Sequence, residues 1–201
     1  MTGTHINLEQ GRSRLNSCVS NYAWLAICCL ASGSLAAVIS AHRPLWLDEL
    51  YMLITVRRPF VDGLLQLEDY SAPLYQLILR LFVHTDTPGT FVFRLPALLS
   101  AVLGLVSTWW LAKNLFNTRV AAISIFIVGF NPCFLNYATE SRPYTLFLLF
   151  SVLSFGTFYK CLVSHSRYFL TAYICSTVLL VYSHYFGLLV FPAQILLLLD
   201  K

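Results

Sequence analysis

Two adjacent carboxylates, Asp48 and Glu49, stand in the stretch Leu-Trp-Leu-Asp-Glu-Leu-Tyr at 45–51. The run Leu47–Val56 reads as an amphipathic helix in which Asp48, Tyr51 and Thr55 share one face. A carboxylate held there has the chemistry of a general base, able to take a proton from an attacking hydroxyl. The same acids would also suit the first turn of a helix, where they complement its dipole. Arg94 and Arg142 each lie just before a proline, in Arg94-Leu95-Pro96 and Arg142-Pro143. Proline is at home in the first helical turn, so both arginines are placed at helix mouths. A guanidinium there can grip a phosphate in its fork, or snorkel to lipid headgroups. Glu140 can pair with Arg142 or a neighbour. His184 stands in a polar turn, and Tyr137, Tyr144 and Tyr185 can line a sugar or lipid site or simply join an interfacial belt.

The rest of the chain decides where such groups can sit. Of 201 residues, 58% are hydrophobic and only 11% charged. A soluble domain carries about 25% charged residues, so disorder, a coiled coil and an ordinary soluble enzyme are excluded. A spanning helix takes about 20 apolar residues, which leaves room for about six spans and few large loops. Residues 1–21 are polar and read as a cytoplasmic tail. Apolar runs follow at Tyr22–Ala41, Leu95–Leu111, Val120–Ala138, Tyr144–Tyr159 and Tyr168–Leu199, the last read as a hairpin turning near His184. Residues 42–92 form the first outer loop. Within it Pro73–Val83 is too short to cross, and Gln76, Arg80 and His84 recur every four residues. That pattern predicts an interfacial helix with its polar stripe toward water. The expected fold is therefore all-α: a polytopic helical bundle of about six spans with interfacial helices in the first outer loop. The six cysteines show no metal-ligand spacing and read as small core hydrophobes.

Charge sets the orientation. With the tail inside, Lys113, Arg119, Lys160 and Arg167 all fall on the inner side, as the positive-inside rule asks. Asp48, Glu49, Asp69, Arg94, Glu140, Arg142 and His184 then share the outer interface. Ionisable groups at membrane depth read as a functional site by default. There is no phosphate loop, dinucleotide fingerprint, HExxH or GxSxG motif, and the inner loops are too short for a nucleotide-sugar domain. Any activated sugar must arrive on a lipid. Nothing in the charge pattern points to nucleic acid.

The order of segments carries a resemblance. LWLDELY (45–51) is followed by DYSAPLYQLILRLF (69–82), FRLPALLSAVLG (93–104), NPCFLNYATESRPYTLFLLF (131–150) and VYSHYFGLLVFPAQILLLL (181–199). From about Tyr22 onward the chain resembles the amino-terminal module of GT-C membrane glycosyltransferases. It looks most like bacterial enzymes grouped with the Rgt-like galacturonosyltransferases, distant relatives of protein O-mannosyltransferases and lipid A aminoarabinose transferases. The resemblance implies a polyprenyl-phosphate sugar donor and transfer on the outer face with inversion at the anomeric carbon. The acceptor would be a lipid, glycan or protein hydroxyl, and the location a bacterial inner membrane. It implies Asp48 as base, with Glu49 supporting it or contacting acceptor. Asp69 would position acceptor or metal, and Arg94 and Arg142 would lie near the donor phosphate. Tyr51, Glu140, Tyr144 and His184 complete the expected substrate contacts.

Many relatives read His-Pro-Pro where this chain has Ser71-Ala72-Pro73, so a divalent cation stays an open question. Relatives also continue through further spans, so the module at 22–201 is expected to be incomplete at its carboxy terminus. Two other readings fit the same residues. One is a non-catalytic fragment or partner subunit that keeps the fold. The other is a small transporter, which should place charges near mid-membrane beside inverted repeats. No internal repeat is visible, and the charges gather at one interface.

Overall fold

The computed structural model describes residues 2–59, 73–83 and 89–199, with side chains described from Val19 onward. Among these residues every regular element is helical. α1 (Thr2–His42) carries the first span and runs back through the polar tail as one helix. α2 (Leu47–Arg57) and α3 (Pro73–Arg80) are short. α4 (Thr90–Leu115), α5 (Thr118–Gly129), α6 (Pro132–Ala138), α7 (Tyr144–Ser164) and α8 (Arg167–Ser183) follow. A 3-10 turn at Tyr185–Leu189 then leads into α9 (Val190–Leu199). α4 is the central staff, packed against α1, α5 and α7, while α7 also packs along α8.

Among the described residues three helices are long and apolar enough to cross a membrane: Val19–His42, Thr90–Leu115 and Tyr144–Ser164. The run expected at Val120–Ala138 is broken, with α5 and α6 bent by 64°. The cause is local. Pro132 has no N–H to give the preceding turn, and Asn131 restarts the helix by accepting from Cys133 N at 2.8 Å. The last run, expected as two spans, forms the 17-residue α8 and the 10-residue α9. At 1.5 Å per residue these reach only about 26 and 15 Å.

The α3 prediction needs correcting. Its face of Tyr75, Gln76 and Leu79 is buried, not solvated, because α2, α4 and α8 close around it. Met52, Leu53, Val56, Tyr75, Leu79, Phe93, Ala97, Leu146 and Leu149 form one apolar core there. His84 lies outside the described residues. Thus α2 and α3 belong to the bundle's end and are not merely laid on a membrane. α2 still turns Trp46, Leu47, Leu50 and Ile54 outward.

Polar contacts tie the carboxy-terminal helices together. Tyr173 Oη donates to Gln194 Oε1 at 2.8 Å, and Gln194 Nε2 donates to Ser154 Oγ at 3.0 Å. Ser154 and Thr177 hydroxyls pair at 2.8 Å. Such interhelical hydrogen bonds supply association that apolar surface cannot supply in lipid. The descent from α8 into α9 depends on Gly187. A Cβ there would lie 2.9 Å from the Leu180 carbonyl oxygen, a backbone atom that cannot swing aside. Gly187→Ala is expected to lift the 3-10 turn off α8 and lower the thermal midpoint in detergent, whereas Gly89→Ala, with open space around it, should leave the midpoint unchanged.

Candidate functional site

The site is built on a buried ion pair. Arg94, on the first turns of α4, is fully buried, as is Glu49 on α2. Arg94 Nε donates to Glu49 Oε1 at 2.8 Å and Nη2 donates to Glu49 Oε2 at 2.5 Å. The rest of the guanidinium closes the end of α1. Nη1 donates to Ser40 O and Arg43 O at 2.7 Å each, and Nη2 to Pro44 O at 3.0 Å. A helix leaves its last carbonyls without partners, and Arg94 reaches across from another helix to satisfy one of them, Ser40 O, together with the two carbonyls just past its end. All five of its N–H groups are committed. Arg94 was expected near a donor phosphate; in this structure it has neither surface nor a spare donor for one.

Glu49 accepts a further hydrogen bond. Its Oε1 accepts from Ser141 N at 2.8 Å, fixing the turn between α6 and α7. Ser141 Oγ donates to Phe93 O at 3.0 Å and lies 3.2 Å from Tyr75 Oη. Burial pushes the Tyr75 phenol well above its usual pKa, so it remains a neutral hydroxyl. One carboxylate thus locks α2, α4 and the 139–143 turn together.

A second cluster stands beside it. Arg43 Nη1 donates to Asn136 Oδ1 at 2.8 Å and Thr139 Oγ1 at 3.3 Å, and lies 3.4 Å from Glu140 Oε1. Asn136 Nδ2 also donates to Glu140 at 2.8 Å. Burial pushes the Glu140 carboxyl above its usual value, and Arg43 and Asn136 pull it part of the way back. Glu140 therefore pairs with Arg43. Arg43, Ser141 and Tyr75 were missed as site residues. The one visible hint was the position of Arg43 at the end of the first span, five residues before Asp48.

In front of this frame lies the open part. Asp48 is half-exposed, and its Oδ2 lies 3.7 Å from Arg142 Nη2. The Arg142 guanidinium stands 6.0 Å from the Tyr144 ring centroid. Tyr144 packs on Tyr137 at 4.5 Å and faces His184 at 6.1 Å. His184 Nδ1 accepts from Phe186 N at 3.2 Å and caps the 3-10 turn. A cavity of about 500 Å³ opens beside these rings, lined by Asn131, Phe134, Tyr137, Tyr144, Phe147 and Phe186 among others. Its wall is almost wholly apolar. On α2, Tyr51 is half-buried next to Asp48, while Thr55 is buried and donates back to Tyr51 O at 2.9 Å.

The structure therefore brings Asp48, Glu49, Arg94, Glu140, Arg142, Tyr144 and His184 to one end of the bundle. Asp69 lies outside the described residues. Among the described residues no three His, Cys, Asp or Glu side chains gather where a metal ion could sit.

The frame is testable. Arg94→Met leaves Glu49 buried without its cation, and Glu49→Gln leaves Arg94 without its anion. Each is expected to cost about 3–5 kcal/mol. The double variant should lose clearly less than the sum. Thermal midpoints in detergent measure this, and strict additivity would mean that the two side chains do not act as one unit.

The sequence profile described as dolichyl-phosphate-mannose-protein mannosyltransferase matches residues 70–201, about two-thirds of the chain. The matched region contains Arg94, Glu140, Arg142, Tyr144 and His184, while Asp48, Glu49 and Tyr51 precede it. No curated protein and no solved structure matches the chain significantly. The helical membrane bundle and the profile agree: the chain belongs to the dolichyl-phosphate-mannose-protein mannosyltransferase family, a group of GT-C membrane glycosyltransferases.

Proposed function

We propose that this protein transfers a hexosyl or pentosyl group from a polyprenyl-phosphate donor to a hydroxyl acceptor, with inversion, using Asp48 as general base. The observation that carries the reading is the exposed Asp48 carboxylate 3.7 Å from Arg142, whose guanidinium stands 6.0 Å from the ring of Tyr144, a residue that lines the apolar cavity. A carboxylate, a cation and an aromatic wall of the apolar recess thus follow one another in space. An isoprenoid tail suits the recess, and the aromatic rings offer faces to a sugar.

The step balances simply. The acceptor oxygen attacks the anomeric carbon as its proton passes to Asp48. The bond from that carbon to the phosphate oxygen breaks, and polyprenyl phosphate leaves with the added negative charge. Arg142 is placed to stabilise that charge. In the resting structure its guanidinium leans on Asp48; a bound phosphate would draw it away and leave the carboxylate to the acceptor. Glu49 and Arg94 act from behind by holding α2 and the 139–143 turn in register.

Lys113, Lys160 and Arg167 lie at the far ends of α4, α7 and α8 from Asp48. This supports a multi-pass arrangement in a bacterial inner membrane, with the site on the outer face. The acceptor is a lipid, glycan or protein carrying a free hydroxyl.

The test is transfer in proteoliposomes from a panel of polyprenyl-phosphate hexoses and pentoses. Asp48→Asn should reduce the rate at least about 100-fold while the protein elutes as a folded species. Arg142→Ala should raise the KM for donor more than that for acceptor. Undiminished transfer by Asp48→Asn would remove Asp48 as the base.

A further inference from the structure

A second cavity, of about 450 Å³, lies at the opposite end of the bundle from Asp48. It is walled by Trp110 on α4, by Leu153 and Thr157 on α7, and by Tyr168, Phe169, Ala172 and Ser176 on α8. Trp110 fits into a notch at Gly156, where a Cβ would fall 2.1 Å from its ring, so one wall is set by close packing. Its two aliphatic hydroxyls are already paired. Thr157 Oγ1 donates to Leu153 O at 2.6 Å and lies 3.2 Å from Ser176 Oγ, which itself donates to Tyr173 O at 3.1 Å. A recess whose hydroxyls are satisfied internally does not call for water.

The mouth is different. Lys160 continues the α7 stripe of Leu153 and Thr157, at i+7 and i+3. Arg167 opens α8 directly before Tyr168 and Phe169. The acidic side chains described, Asp48, Glu49 and Glu140, all lie at the other end. Lys160 and Arg167 have no ion-pair partner among the described residues. An apolar slot thus lies one helical turn or less along the chain from two cations without an ion-pair partner among the described residues. The ligand that matches both halves is an anionic phospholipid.

We propose that this cavity holds an anionic phospholipid from the leaflet opposite Asp48. One acyl chain lies between Trp110 and Phe169, and the phosphate lies between Lys160 and Arg167. The site is separate from the one proposed for transfer, and its test does not depend on activity.

The experiment is native mass spectrometry of the detergent-purified protein, titrated with phosphatidylglycerol or with phosphatidylcholine of the same chains. The wild type should retain one phosphatidylglycerol under collision conditions that strip phosphatidylcholine. Lys160→Gln with Arg167→Gln should weaken phosphatidylglycerol binding about tenfold or more, to the level of phosphatidylcholine. Ala172→Phe, which fills the slot without touching charge, should lower retention of both lipids, with circular dichroism confirming the helices. Equal retention of the two lipids by the wild type, or no retention of either, would overturn the proposal. So would binding unaffected by the charge and cavity variants.

Discussion

A fully buried arginine is the constraint around which this protein is arranged. Taking a guanidinium out of water costs several kcal/mol unless every donor is satisfied. Arg94 meets that condition with one carboxylate and three carbonyls drawn from the end of α1. The first of them, Ser40 O, is one a helix end leaves without a partner; the other two belong to the residues that follow the helix. The first span and the central staff therefore solve each other's polar problem. The loop that leaves α1 must then turn into α2 so that Glu49 comes back over Arg94. Asp48, its neighbour, is consequently turned toward solvent.

The arrangement separates rigidity from access. Behind the site, Glu49 binds both Arg94 and the Ser141 amide, and Ser141 is held by Phe93 O and Tyr75. Beside it, Arg43 gathers Asn136, Thr139 and Glu140. In front, Asp48 and Arg142 form a longer, wetter pair that a ligand can enter. Preorganised groups near a reacting centre do their work without moving at the moment of reaction. The division seen here is of that kind: the carboxylate that is buried holds the frame, and the one that is exposed is the one proposed as base.

The break at Asn131-Pro132 contributes in a different way. By bending the α5–α6 pair through 64°, it sets Tyr137 against Tyr144, and both rings line the apolar recess. A straight helix would have carried α6 along the bundle and left Arg142 without its aromatic neighbours. The same break sets Asn136 and Thr139 within reach of Arg43. One proline in an apolar run thus supplies both a wall of the cavity and a support of the frame.

Composition determined that the protein is membrane-bound, since so few charges cannot cover a soluble surface, and the length of its apolar runs that it is helical. Spacing against the apolar runs determined that the scarce ionisable groups share one end, and the order of motifs pointed to the glycosyltransferase family. The roles within that end were decided by tertiary contact. Arg94 and Arg142 look alike in sequence, each before a proline, yet one is sealed behind the site and the other stands in it. Gln76 lies on an expected polar stripe and is buried; Arg43 reads as one loop charge among several and anchors a cluster. The physical reason is distance along the chain. The partners of Arg94 lie 45 to 54 residues away and the Ser141 partner of Glu49 lies 92 away. Local pattern sets which helices form and which end a charge occupies; which charge finds its counter-ion depends on how those helices pack.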